Sequence, residues 1–458
     1  MNVHDSEKMA AALGRSGFVT GDRAAEAPAV VVLNTCSVRE KAQEKVFTRV
    51  DQLARGASGE RPQLIGVAGC VAQQEGAAIF ARAPAVDFVL GTQALVRLPE
   101  IVRRLQEGER QILEIGRHRD NLDIPPEQIE RVPGVKAYIT IMEGCDNFCS
   151  FCVVPFTRGR ERCRPIGAIV REAASLAEAG FSEIQLLGQN VNSYRDPDDG
   201  RDFAELTDAV GTVSGIRRIR FTSPHPKDFS ESLMDRFATG GPLMPHMHLP
   251  AQSGSTTVLA RMRRGYSREE FLRLVEEARR RVPDLALSTD LIVGFSGETR
   301  AEFEDTLTLL DEVRFASAYS FKYSERPHTF ASRRLPDDVP DEEKGARLIE
   351  LQARQREIQL ELNRDRVGAT VEVLIEGESR RGNQLCGRGP DNRVVNFPGP
   401  MRLVGSFQPV RIVGYGPNSL LGELRGAEAR ATRAGDPPLL SGPLPEVPLP
   451  VIPAPAAS

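Results

Sequence analysis

Three cysteines fall within eight residues, in the stretch Glu143-Gly144-Cys145-Asp146-Asn147-Phe148-Cys149-Ser150-Phe151-Cys152. The C-x3-C-x2-C spacing offers three thiolates and no local fourth. Iron-sulfur clusters normally take four cysteine ligands, and a closed structural zinc site also takes four. An incomplete set therefore points to an iron with one position open to something other than protein. Two plainer readings use the same residues: a zinc site completed from elsewhere in the chain, or three buried thiols with no metal.

The elements around the cysteines place them. Up to about residue 115 the chain alternates short apolar strands (29–33, 64–68, 87–90) with an amphipathic helix at 39–53, a parallel α/β pattern. Cys36 follows the first of these strands and Cys70 ends the second, so both belong at the C-terminal edge of one parallel sheet. A charged linker, 117–131, leads to a second series of strands at 135–142, 183–187, 217–221, 244–248, 286–293 and 316–323, with helices such as 168–179, 269–281 and 300–313 between them. Six βα units predict a partial barrel, open on one side, with Cys145 just past its first strand. After a long helix at 341–366, five short strands with Gly and Pro turns (370–376, 384–387, 393–397, 408–414, 420–424) predict a small β-barrel. Residues 436–458, rich in Pro, Leu, Ala and Ser, read as a disordered tail.

The totals narrow the function classes. A net charge of -4 over 458 residues gives no whole-chain attraction to nucleic acid, so an RNA contact needs a local patch. The segment 367–434 is such a patch, with nine Arg against six acidic residues. Seven cysteines, an odd number with three in a metal-like cluster, fit a reducing cytoplasm. No apolar run reaches the roughly 18 to 20 residues needed to span a bilayer.

Read together, the segments resemble the radical S-adenosylmethionine (SAM) methylthiotransferases, from Met1 to about Arg425. The likeness rests on Asn34-Thr35-Cys36-Ser37-Val38-Arg39, Gly69-Cys70, the three-cysteine loop with Val153-Val154-Pro155-Phe156-Thr157-Arg158-Gly159, and Leu187-Gly188-Gln189-Asn190-Val191-Asn192. It continues in His248-Leu249-Pro250-Ala251-Gln252-Ser253-Gly254-Ser255, Asp290-Leu291-Ile292-Val293-Gly294-Phe295 with Glu298, and Asn392-Arg393-Val394-Val395-Asn396-Phe397. The resemblance implies an N-terminal methylthiotransferase domain (1–116), a partial (βα)6 radical SAM domain (131–366) and a TRAM-like RNA-binding barrel (367–430).

It also implies the chemistry. Cys145, Cys149 and Cys152 would hold a [4Fe-4S] cluster whose fourth iron is chelated by SAM, and reductive cleavage of SAM would give a 5'-deoxyadenosyl radical. A second, auxiliary [4Fe-4S] cluster in the family takes three N-terminal cysteines, of which Cys36 and Cys70 match. The third would sit in a Gly-Cys-Gln element directly before Met1-Asn2, together with a further strand. The expectation is that the true start lies upstream and Met1 is an internal methionine, the opposing one a degenerate protein with a single cluster. Cys163 and Cys386 read as small, partly buried residues.

The implied reaction converts N6-isopentenyladenosine at position 37 of tRNA, next to the anticodon, to its 2-methylthio derivative, using two SAM. SAM-pocket candidates are Gln189, Asn190, Gln252, Ser253, Asp290 and Gly294, with loop capping as the plainer role. Phe148 and Phe151 would shield the cluster or merely pack. His248 is a packing or a catalytic residue on equal terms. Arg380, Arg381, Arg388, Arg393 and Arg402 would meet phosphates. Implied partners are the tRNA anticodon loop, an electron donor such as flavodoxin or ferredoxin, and a sulfur donor, with a monomer expected and no membrane. Alternatives are a methylthiotransferase for threonylcarbamoyl-adenosine in tRNA or for a ribosomal-protein aspartate, and a non-catalytic RNA-binding cluster protein.

Overall fold

The computed structural model describes residues 1–19, 29–36, 40–56, 62–116, 131, 134–379 and 382–425. Most of the linker at 117–131, the motif residues Ser37, Val38 and Arg39, the candidates Arg380 and Arg381, and the tail 436–458 lie outside them. The chain divides into two compact units, residues 1–352 and 353–458.

The first unit opens with a helix, Asn2–Arg15, and a four-stranded parallel sheet ordered β1 (Val30–Thr35), β2 (Leu64–Gly69), β3 (Phe88–Leu90) and β4 (Ile112–Glu114). β4 is a strand that the sequence did not offer. The side-chain period of two sends Ile65, Val67 and Val89 to one face, against Val46, Val50 and Ile79, and sends Ala68, Phe88 and Leu90 to the other, against Met9, Leu98 and Ile101. A parallel sheet needs this cover on both faces. β1, half-buried, stands at one edge and pairs with β2.

Six further parallel strands form an arc. β5 (Lys136–Thr140) continues into a two-residue strand β6 (Met142–Glu143), which pairs antiparallel with β7 (Arg162–Cys163). β8 (Glu183–Leu187) and β9 (Arg218–Phe221) follow β5 in one three-stranded sheet. β10 (His246–His248), β11 (Ala286–Val293) and β12 (Ser317–Lys322) form the next. A parallel bridge from Ile219 to Leu243 joins the two, so the arc runs β5-β8-β9-β10-β11-β12. The expected six βα units are all present.

The intervening helices start where their sequences say they should. Asp202 with Glu205, Ser267 with Glu270 and Thr299 with Glu302 each form a reciprocal capping box, satisfying backbone N–H groups that a first turn leaves open. β9 carries two buried cations, Arg218 and Arg220, inside a strand, and Arg220 is ion-paired with Glu183 of β8 at 3.2 Å.

In the second unit, β13 (Thr370–Glu378), β14 (Leu385–Arg388), β15 (Val394–Phe397), β16 (Phe407–Tyr415) and β17 (Leu420–Leu424) close into a barrel ordered β13-β14-β15-β17-β16. Val373, Ile375, Leu385, Val395, Phe397, Val410 and Ile412 fill it. Closure removes both sheet edges, which lets five short strands stand as one body.

Candidate active site

The β6–β7 pair closes a loop that contains all three clustered cysteines. Gly144 makes its neck: it adopts φ +81°, and a Cβ there would collide with the Arg160 carbonyl oxygen. Cys145 N–H donates to Gly159 O at 3.2 Å, and Gln189, just past β8, accepts from Gly144 N–H at 2.6 Å. Ser150 anchors the far side, donating through its N–H to Met262 O at 2.9 Å and accepting from Ala331 N–H at 2.7 Å. The loop therefore lies over the C-terminal ends of the strands, as expected for Cys145.

Cys149 is buried and accepts a hydrogen bond from Arg264 Nη1 at 3.3 Å. The Arg264 guanidinium, also buried, further donates to Pro250 O at 2.9 Å and Tyr266 Oη at 3.1 Å. Burial pushes the Cys145 and Cys152 thiols up to about 12, so without a cation beside them they hold their protons. Among the described residues no three His, Cys, Asp or Glu side chains surround a single-ion position. A cubane cluster asks for something different, one thiolate on each of three irons, with the sulfurs spread around it. Buried polar atoms with no protein partner lie close by: Asn147 Nδ2 on the loop, Asn190 Oδ1, and His225 Nε2, whose ring sits edge-on to Tyr266 at 5.6 Å. His225 is held neutral, its pKa lowered to about 2 by burial first and then by Arg264.

Cys36 and Cys70 come together at the C-terminal edge of β1 and β2. Gly69 adopts φ +91°, and a Cβ there would strike Asn34 Oδ1, which accounts for a glycine directly before Cys70. A hydrogen bond with Cys36 lowers the Cys70 pKa to about 6 against burial, with Arg158 assisting. Arg158 is the link to the three-cysteine loop. Six residues beyond Cys152, across the short helix Val154–Thr157, its buried guanidinium donates to Asp5 Oδ2 at 2.6 Å and reaches Cys70. Asp5 Oδ1, Arg158 Nη1, His4 Nε2 and Asn34 Oδ1 are buried here without a protein partner, and the Met1 α-amino group lies beside the same thiols. Both thiol sets thus sit among polar groups suited to a charged, sulfur-ligated guest.

The helix Asn2–Arg15 that carries Asp5 packs Met9 onto the sheet and meets the strand arc through polar contacts. His4 Nδ1 meets Thr140 Oγ1 at 2.7 Å, and Glu7 pairs with Arg131 at 2.7 Å. Glu172 binds both Arg131 and, at 2.7 Å, Arg164. Thr92 and Gln93 add hydrogen bonds to the carbonyls of Thr157 and Arg158.

The remaining site candidates are distributed as follows. Asn190 is buried and donates to Asp228 Oδ2 at 2.8 Å. Gln252 adopts φ +73°, and its backbone bonds Asp290 O and Ile292 N–H. Ser253 Oγ accepts from Ser255 N–H at 3.2 Å. Asp290 is half-buried, with Oδ2 3.4 Å from His248 Nε2. His248 also meets Ser288 Oγ at 3.1 Å, and the exposed Tyr319 ring lies edge-on to it at 6.0 Å. Gly294, at φ +69°, donates to Glu298 Oε2 at 2.6 Å, and a Cβ there would run into Lys344. Phe151 packs edge-on against Phe295 at 6.4 Å, whereas Phe148 is exposed. Cys163 pairs in β7 with Met142, and Cys386 lies in β14 of the second unit. In the barrel unit Arg388 is ion-paired with Glu376 at 3.2 Å and Arg393 with Asp391 at 2.5 Å, while Arg402 is exposed.

Three family models match this chain: Radical SAM superfamily over residues 139–310, uncharacterized protein family UPF0004 over 1–91, and TRAM domain over 364–424. A tRNA-2-methylthio-N(6)-dimethylallyladenosine synthase from Solibacter usitatus is 46% identical over 430 residues, covering 92% of this chain and 95% of its own. A protein of the same name from Geotalea uraniireducens is 48% identical over 428 residues, covering 93% and 96%. The chain belongs to this synthase family. Among solved structures, the radical SAM methyltransferase TsrM from Kitasatospora setae superposes with a TM-score of 0.51 at 17% identity, over 72% of each chain, a likeness of fold alone.

Membership in the family makes the chain a radical SAM methylthiotransferase, with a [4Fe-4S] cluster and SAM among its cofactors. Among the described residues no helix is long and apolar enough to cross a membrane. Sequence reasoning missed Arg264, Tyr266 and the Asp5–Arg158 pair. Arg264 lies 115 positions from Cys149 and Asp5 lies 153 from Arg158, and no local spacing connects them.

Proposed function

We propose that this protein inserts a methylthio group at C2 of N6-isopentenyladenosine at position 37 of tRNA, beside the anticodon, consuming two SAM. One observation carries the reading: identity of 43–48% to synthases of that product extends over 92–93% of the chain. The geometry supports it by setting two separate thiol groups at strand ends of one unit.

Cys145, Cys149 and Cys152 would hold the [4Fe-4S] cluster that leaves one iron for SAM, and Cys36 and Cys70 would contribute to a second cluster. When bound, these groups supply a carbon radical able to take hydrogen from an unactivated C–H and a sulfur to replace it. The chain's own residues do the rest. Arg264 holds the Cys149 sulfur, Gln189 and Gly144 fix the neck of the loop, and Arg158 keeps the Cys70 side at a fixed reach from Cys152. Of the SAM-pocket candidates, Asp290 is half-buried beside His248 and Asn190 keeps a buried oxygen without a protein partner, while Gln189 braces the cysteine loop and Ser253 and Gly294 support their own loops. No general-base triad is required, and His248 is a positioning group for Asp290. The barrel of the second unit would add phosphate contacts, with Arg388, Arg393 and Arg402 its described candidates. A flavodoxin or ferredoxin would supply electrons, and a separate sulfur donor would replenish the second cluster in a reducing cytoplasm.

The test is production of the chain in a bacterium lacking its own methylthiotransferase, followed by mass analysis of tRNA nucleosides. Appearance of 2-methylthio-isopentenyladenosine is expected. Accumulation of isopentenyladenosine with no methylthio product overturns the substrate assignment.

A further inference from the structure

Around the cysteine loop the first unit exposes three large aromatic rings, Phe148, Phe156 and Phe330, all more than a third exposed. Each is joined to a basic side chain. Arg160 lies 5.4 Å from the Phe148 ring and Arg263 3.5 Å from the Phe330 ring, and the His328 ring stacks obliquely on Phe156 at 6.2 Å. Phe148, Phe156 and Arg160 belong to the cysteine loop between β6 and β7, and the Phe156–His328 contact and Ser150 each tie that loop to the segment that carries Phe330. Ser150, inside the cysteine loop, bonds the backbone of Met262 beside Arg263 and of Ala331 beside Phe330. Arg160 is additionally ion-paired with Asp146 on the same loop at 2.7 Å.

The backbone contributes a second, independent observation. Phe148, Arg263 and His328 adopt φ values of +48°, +56° and +70°, the left-handed region that non-glycine residues rarely occupy. For a bulky aromatic such as Phe148 this is unfavourable, and folds retain such residues mainly where function requires them. Of the three rings Phe148 stands on such backbone itself, while Arg263 and His328 are the partners of Phe330 and Phe156.

We infer that this aromatic and basic rim is a docking surface for single-stranded RNA, whose bases stack on Phe148, Phe156 and Phe330 while Arg160, Arg263 and His328 meet the flanking phosphates. π faces offered beside cations are the chemistry that takes unpaired bases without reading their sequence. An acidic protein partner would use the charges and leave the rings unexplained. The inference rests on the RNA-modifying reading and deepens it: the loop that holds the three thiols also grips the nucleotides around the target base, in a unit separate from the barrel.

The test uses the full chain with reconstituted clusters and a stem-loop RNA carrying 2-aminopurine in its loop. Iron content is checked in each variant so that loss of the cysteine loop is recognised. Phe156→Leu and Phe330→Leu keep apolar volume and remove the π face. Each is expected to weaken RNA binding about 5- to 100-fold and to relieve the fluorescence quenching of the probe. Arg263→Gln should reduce the salt dependence of binding. Wild-type affinity and quenching in both leucine variants would overturn the inference, as would a defect confined to the KM for reduced flavodoxin. Failure of the wild type to bind the stem-loop at all would instead remove the RNA reading on which the inference stands.

Discussion

Arg264 is a buried cation whose three hydrogen-bond acceptors are Cys149 Sγ, Pro250 O and Tyr266 Oη, none of them a carboxylate. Its natural counter-charge is therefore a thiolate-bound cluster. An added electron makes the cluster more negative, so a fixed guanidinium nearby favours the reduced state. Taking roughly 6 Å from guanidinium to cluster centre and an effective dielectric of about 20, the added interaction is ~3 kcal/mol. For a one-electron couple that is ~120 mV, an upper figure because solvent and protein dipoles relax. Arg264→Met, which keeps length and apolar volume, is expected to lower the midpoint potential of the reconstituted cluster by ~50–120 mV. Arg264→Lys, which keeps the charge, should recover more than half of that shift. The assay is an EPR-monitored redox titration at constant iron content. A methionine variant within ~20 mV of wild type would show that the guanidinium only packs the site.

Three further outcomes follow from other contacts. Gly144→Ala places a Cβ against a backbone carbonyl that cannot move aside, so iron retention after anaerobic reconstitution should fall and the melting temperature with it, for a cost of about 2–4 kcal/mol. Glu172→Gln leaves the buried Arg164 without a carboxylate and the half-buried Arg131 with Glu7 alone, a loss of about 3 kcal/mol that thermal unfolding would register. His225, lowered to about 2 in the fold by burial, binds a proton in the unfolded chain below pH ~6.5 but not in the folded one. Its contribution to stability is therefore complete at pH 7.5 and falls as pH drops below that value, by about 1.4 kcal/mol at pH 5.5. His225→Asn, which can still cap Lys227 N–H, should lose less in melting temperature between those pH values than wild type does. An equal loss would refute the assignment.

The sequence revealed much of this fold because its strands announce themselves. Ala286–Val293 and Glu183–Leu187 are apolar-rich segments of strand length followed by Gly294 and Gly188, and both appear in the structure with the expected bounds. Ile112–Glu114 escaped because three residues are too few to show a period. The three-cysteine loop was legible from spacing alone, a local property. What was not legible is how side chains are used once the chain has folded. Gln189 reads as a free amide after a strand, yet its oxygen is committed to Gly144 N–H. Gly294 reads as part of a ligand turn, and it is also where the backbone must clear Lys344. Arg158 reads only as part of the motif 153–159, and Arg264 belongs to no motif. Their partners lie more than a hundred positions away, and periodicity carries no such information.

The way the Asn2–Arg15 helix is seated has a consequence for timing. A greasy contact would let two bodies slide an ångström or two at little cost, since apolar attraction has no preferred direction. The joint made by Asp5 with Arg158, Glu7 with Arg131, and His4 with Thr140 behaves as a set of keyed pins. Shifted out of register, each would leave a desolvated polar group facing nothing. These pins oppose any change in the spacing between the Cys36–Cys70 pair and the three-cysteine loop. A catalyst built this way cannot ration its reactive groups by moving them toward each other, so control must rest with what enters between them and when it leaves.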